Sequence, residues 1–189
     1  MTIVYETKKM SELFSTVELI QEMLDLATSA TGTEQGASLY NLLARIYRDT
    51  MDIWVVTARD DASSNKLVGT FGFNDLNKFP FMDRSKGGWR NTVRDAIVAK
   101  GIDDDANVDV SCAIYVHADY KGQNIASTMR NKRQEYQLNR GITHSLVVAP
   151  STDNIKTWMD MVNTRLGGET IGTDSDGVNI YLCPHGTSL

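Results

Sequence analysis

The stretch VDVSCAIYVHADYKGQNIASTMRNKRQEY, residues 108–136, constrains this chain more than any other. Its first nine residues are rich in β-branched and apolar side chains, which favours an extended strand. Gly122 and Asn124 then interrupt the pattern, and from Ile125 onward the residues suit a helix. A strand that passes through a short glycine-bearing loop into a helix points backbone N–H groups outward at the helix N-terminus, a geometry suited to receiving a phosphate. The charges fit a local anionic ligand. Between Lys121 and Arg140 there are five basic residues (Lys121, Arg130, Lys132, Arg133, Arg140) and one acidic residue (Glu135), in a chain of net charge −5. That overall sign argues against nucleic acid or an anionic membrane as partner, because a polyanion is met by a broad basic surface.

The rest of the chain places this unit in a fold class. With 189 residues and 41% hydrophobic content, it is long enough to bury one core, and a single domain over 1–189 is expected. TIVYET alternates like a short strand. From Ser11, a candidate cap, Leu13, Val17, Ile20, Leu24 and Ala27 fall on one helical face, and Leu39, Leu42, Leu43 and Ile46 repeat the spacing in a second helix. IWVVTA and KLVGTFGF, separated by RDDASSN, predict an antiparallel hairpin. A helical insertion at about 75–107 follows, holding Phe79 and Phe81 and a helix through Trp89, Val93, Ala96 and Ile97 that ends at Lys100 and Gly101. After the basic helix come the strand SLVVAP, a helix from about 153 to 165, and the hairpin ETIGT and VNIYLC. Hairpins mixed with strand-helix-strand units predict an α/β (α+β) fold, a mixed, mostly antiparallel sheet flanked by helices.

Cys112 and Cys183, the only two cysteines, both sit in apolar strands, as reduced thiols of a cytoplasmic protein do. The apolar run at 13–27 is broken by Glu18, Glu22 and Asp25, so neither a signal-peptide core nor a membrane span is expected. His117, His144, His185 and the two cysteines lack metal-ligand spacing, so no metal is expected.

The residues at the strand-to-helix turn fit neither the G-x-x-x-x-G-K-[ST] loop nor the G-x-G-x-x-G fingerprint. IYVHADYKGQNIA instead resembles the pyrophosphate loop of the GCN5-related N-acetyltransferases, the GNAT superfamily. Val116 stands in the family's Val position, Tyr120 precedes the loop, Lys121 stands where the family has Arg or Gln, and Ala126 takes the last position of [Q/R]-x-x-G-x-[G/A]. SLVVAP is similar to the next family strand, and STDNIKTW to the turn that carries an Asn, here Asn154. The chain departs from the pattern at Ala118, where Pro is common, at Lys121, which lacks the planar fork of Arg, and at Asn124, which replaces the central glycine.

The resemblance implies the GNAT acyl-CoA N-acyltransferase fold, with acetyl-CoA as acyl donor. It implies that the backbone of Ile114, Tyr115 and Val116 pairs with the pantetheine arm. Lys121, Gly122, Gln123, Asn124, Ile125 and Ala126 would hold the pyrophosphate, with Asn154 nearby and Lys132 or Arg133 reaching a distal phosphate. For the chemistry, Ile114, Cys112, Val110 and Val108 share one strand face, and none is an evident base. Asp109 and Ser111 point to the other face unless a bulge changes the phase. The family's acid, a Tyr, falls on Met161. Tyr115, Tyr120 or Tyr181 could stand in for that acid and nothing in the sequence selects among them, so no catalytic residue is fixed and the candidates are Cys112, Tyr120 and Asp109. Two functions stay open: transfer of an acetyl group to an amine of an unidentified small molecule, peptide or protein, or a catalytically degenerate GNAT-fold module, such as a viral accessory, that binds or builds. The expected partners are a coenzyme A thioester and that amine, with the chain a monomer or homodimer.

Overall fold

Valine, phenylalanine and threonine dominate the segments on either side of RDDASSN, and such side chains pack well on a pleated surface. In the structure, a computed structural model that describes residues 2–32, 53–76, 89–102, 107–148, 161, 164–173 and 179–186, they form β2 (Trp54–Asp60) and β3 (Lys66–Asp75). The two pair antiparallel through a 3-10 turn, Asp61–Ser63, as the sequence predicts. Ser64 and Asn65 close the turn with φ of 54° and 60°, and the Asp60 carboxylate accepts the Ala62 amide at 3.1 Å.

Among the described residues the strands form one seven-stranded sheet. With β1 (Ile3–Lys9), β4 (Val108–Val116), β5 (His144–Val148), β6 (Glu169–Thr173) and β7 (Asn179–Pro184), its order is β1-β2-β3-β4-β5-β7-β6. The β1–β2, β2–β3, β5–β7 and β6–β7 pairs are antiparallel and β4–β5 is parallel, so the sheet is mixed and mostly antiparallel. The helices whose bounds fall among the described residues are α1 (Met10–Leu13), α2 (Val17–Thr31), α3 (Trp89–Ala99) and α4 (Ile125–Leu138); residues 161, 164 and 165 are helical as well. None of the described helices is long and apolar enough to cross a membrane.

The chain divides into two compact units. The first comprises Met1–Phe73 and Cys112–Arg133. Its buried residues include Met23, Leu26, Val55, Val56, Val68, Phe73, Ile125 and Met129. Gly69 fixes how closely α4 sits on β3. A Cβ there would meet Met129 Cε at 3.0 Å and Ile125 Cγ2 at 3.1 Å, so the missing side chain is the space those two residues occupy.

The N-terminal helix differs from its predicted form. It is two helices, with Thr16 rather than Ser11 capping the longer one by accepting the Leu19 amide at 3.3 Å. Val17, placed on the apolar face by spacing, is 77% exposed, while Ala27 is buried as the spacing predicts, together with Met23 and Leu26.

The second unit comprises Asn74–Ser111 and Gln134–Leu189. Here α3 ends where the sequence places it: the amides of Lys100, Gly101 and Ile102 fold back onto Val98 and Ile97, with Gly101 at φ 74°. Lys100 pairs with Glu169 of β6. The predicted helices around 39–46 and Asn154, Phe79 and Phe81, and the turn at 174–177 lie outside the described residues.

Candidate functional site

In the first unit, the outer part of β4 leads into the turn. Ile114 is 41% exposed, while Tyr115 and Val116 are half-buried. The β4–β5 ladder consists of Val108–His144, Asp109–Ser145 and Val110–Leu146 among the described residues, whereas β4 itself runs on to Val116. The His117 amide then donates to the Val68 carbonyl at 2.9 Å, ending the strand against β3.

Residues 117–121 are tied at several points. A 3-10 turn, Ala118–Tyr120, is closed by the Tyr120 amide on the His117 carbonyl at 2.9 Å and by the Asp119 amide on His117 Nδ1 at 3.3 Å. The Tyr120 hydroxyl donates to Asp60 Oδ2 at 2.8 Å, where Ser63 Oγ also donates at 2.8 Å. The Ala118 amide donates to Ser29 Oγ at 3.0 Å, and the Lys121 ammonium to the Ala30 carbonyl at 3.2 Å. His117 Nε2 lies 3.0 Å from the Lys66 ammonium. Burial, then Lys66, hold the His117 pKa below its ordinary 6.5, against the opposing pull of Asp119. A neutral ring has one acceptor nitrogen, so its tautomer decides whether Nδ1 accepts the Asp119 amide or Nε2 accepts the Lys66 ammonium.

Residues 122–127 behave differently. Gly122 has φ 79° and Asn124 φ 60°, two left-handed residues around Gln123. Asn is one of the few side-chain-bearing residues that visit this region readily, so the substitution of the central glycine keeps the loop's conformation. The first hydrogen bond of α4 runs from the Thr128 amide to the Asn124 carbonyl at 2.9 Å. Among the described residues, the amides of 122–127 have no protein acceptor. These are the N–H groups that a helix start leaves over, at the positive end of its dipole.

The basic residues of the region are divided by the fold. Arg133, expected near a distal phosphate, is 2% exposed, with its guanidinium 5.2 Å from the Phe71 ring and 5.9 Å from the Phe73 ring. It serves as packing and as a cation over aromatic faces, which corrects the expectation. Arg130 is also buried, whereas Lys132 is exposed. In the second unit, Arg140 forms a two-pronged pair with Asp75, at 3.1 and 3.0 Å.

Of the catalytic candidates, Tyr120 has its proton committed to Asp60, which raises its pKa above 10.0. Asp109 in the second unit is fully buried. It accepts Gln137 Nε2 at 2.8 Å and faces His185 Nε2 at 3.4 Å, while Gln137 Oε1 accepts Arg140 at 2.9 Å. Those contacts run against its candidacy, because the carboxylate is fully buried and already engaged by Gln137 and His185. Val108 and Val110 are buried as well, and Met161 is 43% exposed. The side chain of Cys112, and Asn154 as a whole, lie outside the described residues. The commitments of Asp60, Ser29, Phe71 and Asp75 carry no local sequence signal, since each partner lies tens of residues away. Among the described residues no group of three or more His, Cys, Asp or Glu is arranged to hold a metal ion.

Strand order and loop together define an architecture, that of the GNAT acyl-CoA N-acyltransferases. No family model and no curated protein sequence matches the chain. Solved structures do. The PaiA N-acetyltransferase of Thermoplasma acidophilum, in complex with coenzyme A, superposes with a TM-score of 0.57 at 14% identity, over 97% of this chain and 99% of that one. An acyl-CoA N-acyltransferase from Pseudomonas aeruginosa gives 0.58 at 12% identity, over 96% and 99%. YncA of Salmonella typhimurium, with acetyl-CoA, gives 0.50 at 14%, over 97% and 93%. At these identities the likeness is one of fold.

Proposed function

We propose that the chain is an acetyl-CoA-dependent N-acetyltransferase. One observation carries this reading: the run of amides at 122–127 that find no acceptor within the described protein, displayed by a loop with two left-handed residues. N–H groups left over at a helix start, at the positive end of its dipole, form a ready site for an anionic ligand. A diphosphate suits the spacing, with Gly122, Gln123, Asn124, Ile125 and Ala126 as backbone donors. Ile114, Tyr115 and Val116 lie beyond the last described pair of the β4–β5 ladder, which suits an extended amide-bearing arm added to the strand. The neighbours solved with coenzyme A and acetyl-CoA support the choice of ligand.

In the proposed reaction, a neutral amine attacks the thioester carbonyl carbon, the C–N bond forms and the C–S bond breaks. The thiolate of coenzyme A leaves and takes up the proton that the amine nitrogen releases. Positioning supplies much of the rate in such a transfer. Isothermal titration with acetyl-CoA tests the reading: saturable binding at micromolar concentrations is expected, and silence at several hundred micromolar removes it.

A second reading, a GNAT-fold module that binds the thioester without turning it over, is favoured by the commitments of Tyr120 to Asp60 and of Asp109 to Gln137 and His185. Release of free thiol from acetyl-CoA in the presence of a broad amine panel separates the two.

A further inference from the structure

The carbonyls of a helix's last turn lack intrahelical partners and sit at the negative end of its dipole. Helix α2 ends at Thr31, with Gly32 at φ 70°. The Lys121 ammonium is on the Ala30 carbonyl of that turn, at 3.2 Å. One residue earlier, the hydroxyl of Ser29 accepts the Ala118 amide at 3.0 Å, across 89 positions of sequence. These two contacts bracket the 3-10 turn immediately before the loop. On the far side, the loop is fixed by Ile125, which is 2% exposed and fills the space left by Gly69. A loop holding left-handed residues at 122 and 124 keeps one shape only if both ends are set, because neither conformation is favoured by the chain itself.

We propose that the last turn of α2 sets the shape of the loop, with Ser29 as a positioning residue and the Lys121 ammonium as a tie to α2 rather than a phosphate ligand. The proposal rests on reading residues 122–127 as a diphosphate cradle. A preformed cradle saves the ligand the cost of ordering it, so loosening the α2 end weakens whatever binds through the diphosphate and leaves the pantetheine end alone.

The test uses the full chain, with Ser29→Ala, Ser29→Thr and Lys121→Met, and three probes: coenzyme A, ADP and pantetheine. Ser29→Ala weakens coenzyme A and ADP by the same factor, about fivefold for one hydrogen bond. It leaves pantetheine unchanged, and Ser29→Thr restores wild-type values. Lys121→Met behaves like Ser29→Ala. In the ligand-free protein both variants speed amide hydrogen exchange at residues 118–121 and leave α4 protected. Coenzyme A bound by Ser29→Ala as tightly as by wild type overturns the role of Ser29, as does an equal loss for all three probes. A loss beyond tenfold in Lys121→Met without faster exchange returns the ammonium to the phosphate. If the wild-type chain binds none of the probes, the cradle reading fails and takes this proposal with it; unchanged exchange in both variants fails the proposal alone.

Discussion

Two adjacent stretches of the first unit, 117–121 and 122–127, differ in what their polar groups do. In the first, His117, Ala118, Tyr120 and Lys121 each use side chain or backbone on Val68, Lys66, Ser29, Asp60 or Ala30. In the second, the amides have no acceptor among the described residues. The contrast separates a segment whose polar groups build a support from one whose amides stay open to solvent or a ligand. Substitutions in the two stretches differ in what they change directly: the support in the first, with any effect on affinity passing through it, and the ligand's own surroundings in the second.

The largest effect belongs to Ala126→Glu. A carboxylate in the first turn of α4 opposes the helix dipole favourably and raises stability by about 0.3–1 kcal/mol. The same charge repels a diphosphate, and coenzyme A binding falls by about tenfold or more. Titration calorimetry beside thermal melts checks both signs; unchanged affinity would erase the distinction between the stretches. Tyr120→Phe acts on the support. Tyr120, then Ser63, with the Ala62 amide, hold the Asp60 carboxyl below its ordinary 3.8 despite burial, so its contribution is full above pH 3.8 and is lost as pH falls through the lowered value. The variant melts a few degrees lower at pH 7 and loses less on further acidification. A wild-type acid limb in the variant would show that Tyr120 is not what secures Asp60.

The smallest effect comes from His117. Its folded pKa lies below 6.5, so the unfolded chain binds the proton first, and stability is lost as pH falls from 6.5 through the lowered value. His144, also lowered, chiefly by burial and then by His185, loses stability over the same range. Lys66→Met removes one of the causes acting on His117 alone. The drop in urea midpoint between pH 7.5 and 5.5 should therefore be shallower in the variant, and an identical slope would detach Lys66 from the ring.

What the sequence discloses follows the range of the interactions. The β2–β3 hairpin, the end of α3 at Gly101 and the left-handed place taken by Asn124 rest on neighbours within a few residues, and their signals are plain in the residue types. The basic helix misleads for the opposite reason. Arg133 is claimed by Phe71 and Phe73, and Arg140 by Asp75, across about sixty positions, where no periodicity records the pairing. The split at residues 14–16 was likewise hidden, because Leu13 and Val17 share a helical face whether or not the helix is continuous; Thr16, as a cap, was the available clue.

The side chain of Gln137 carries a further implication. Its oxygen meets the guanidinium of Arg140 and its nitrogen meets the carboxylate of Asp109, so only one of the amide's two rotations is tolerable. That gives the row from Asp75 to His185 a polarity, read from cation to neutral linker to anion. A neutral residue with two unlike ends is what links a solvent-accessible arginine to a fully buried aspartate without the two touching, a task that neither a hydrocarbon nor a second acid at position 137 can perform.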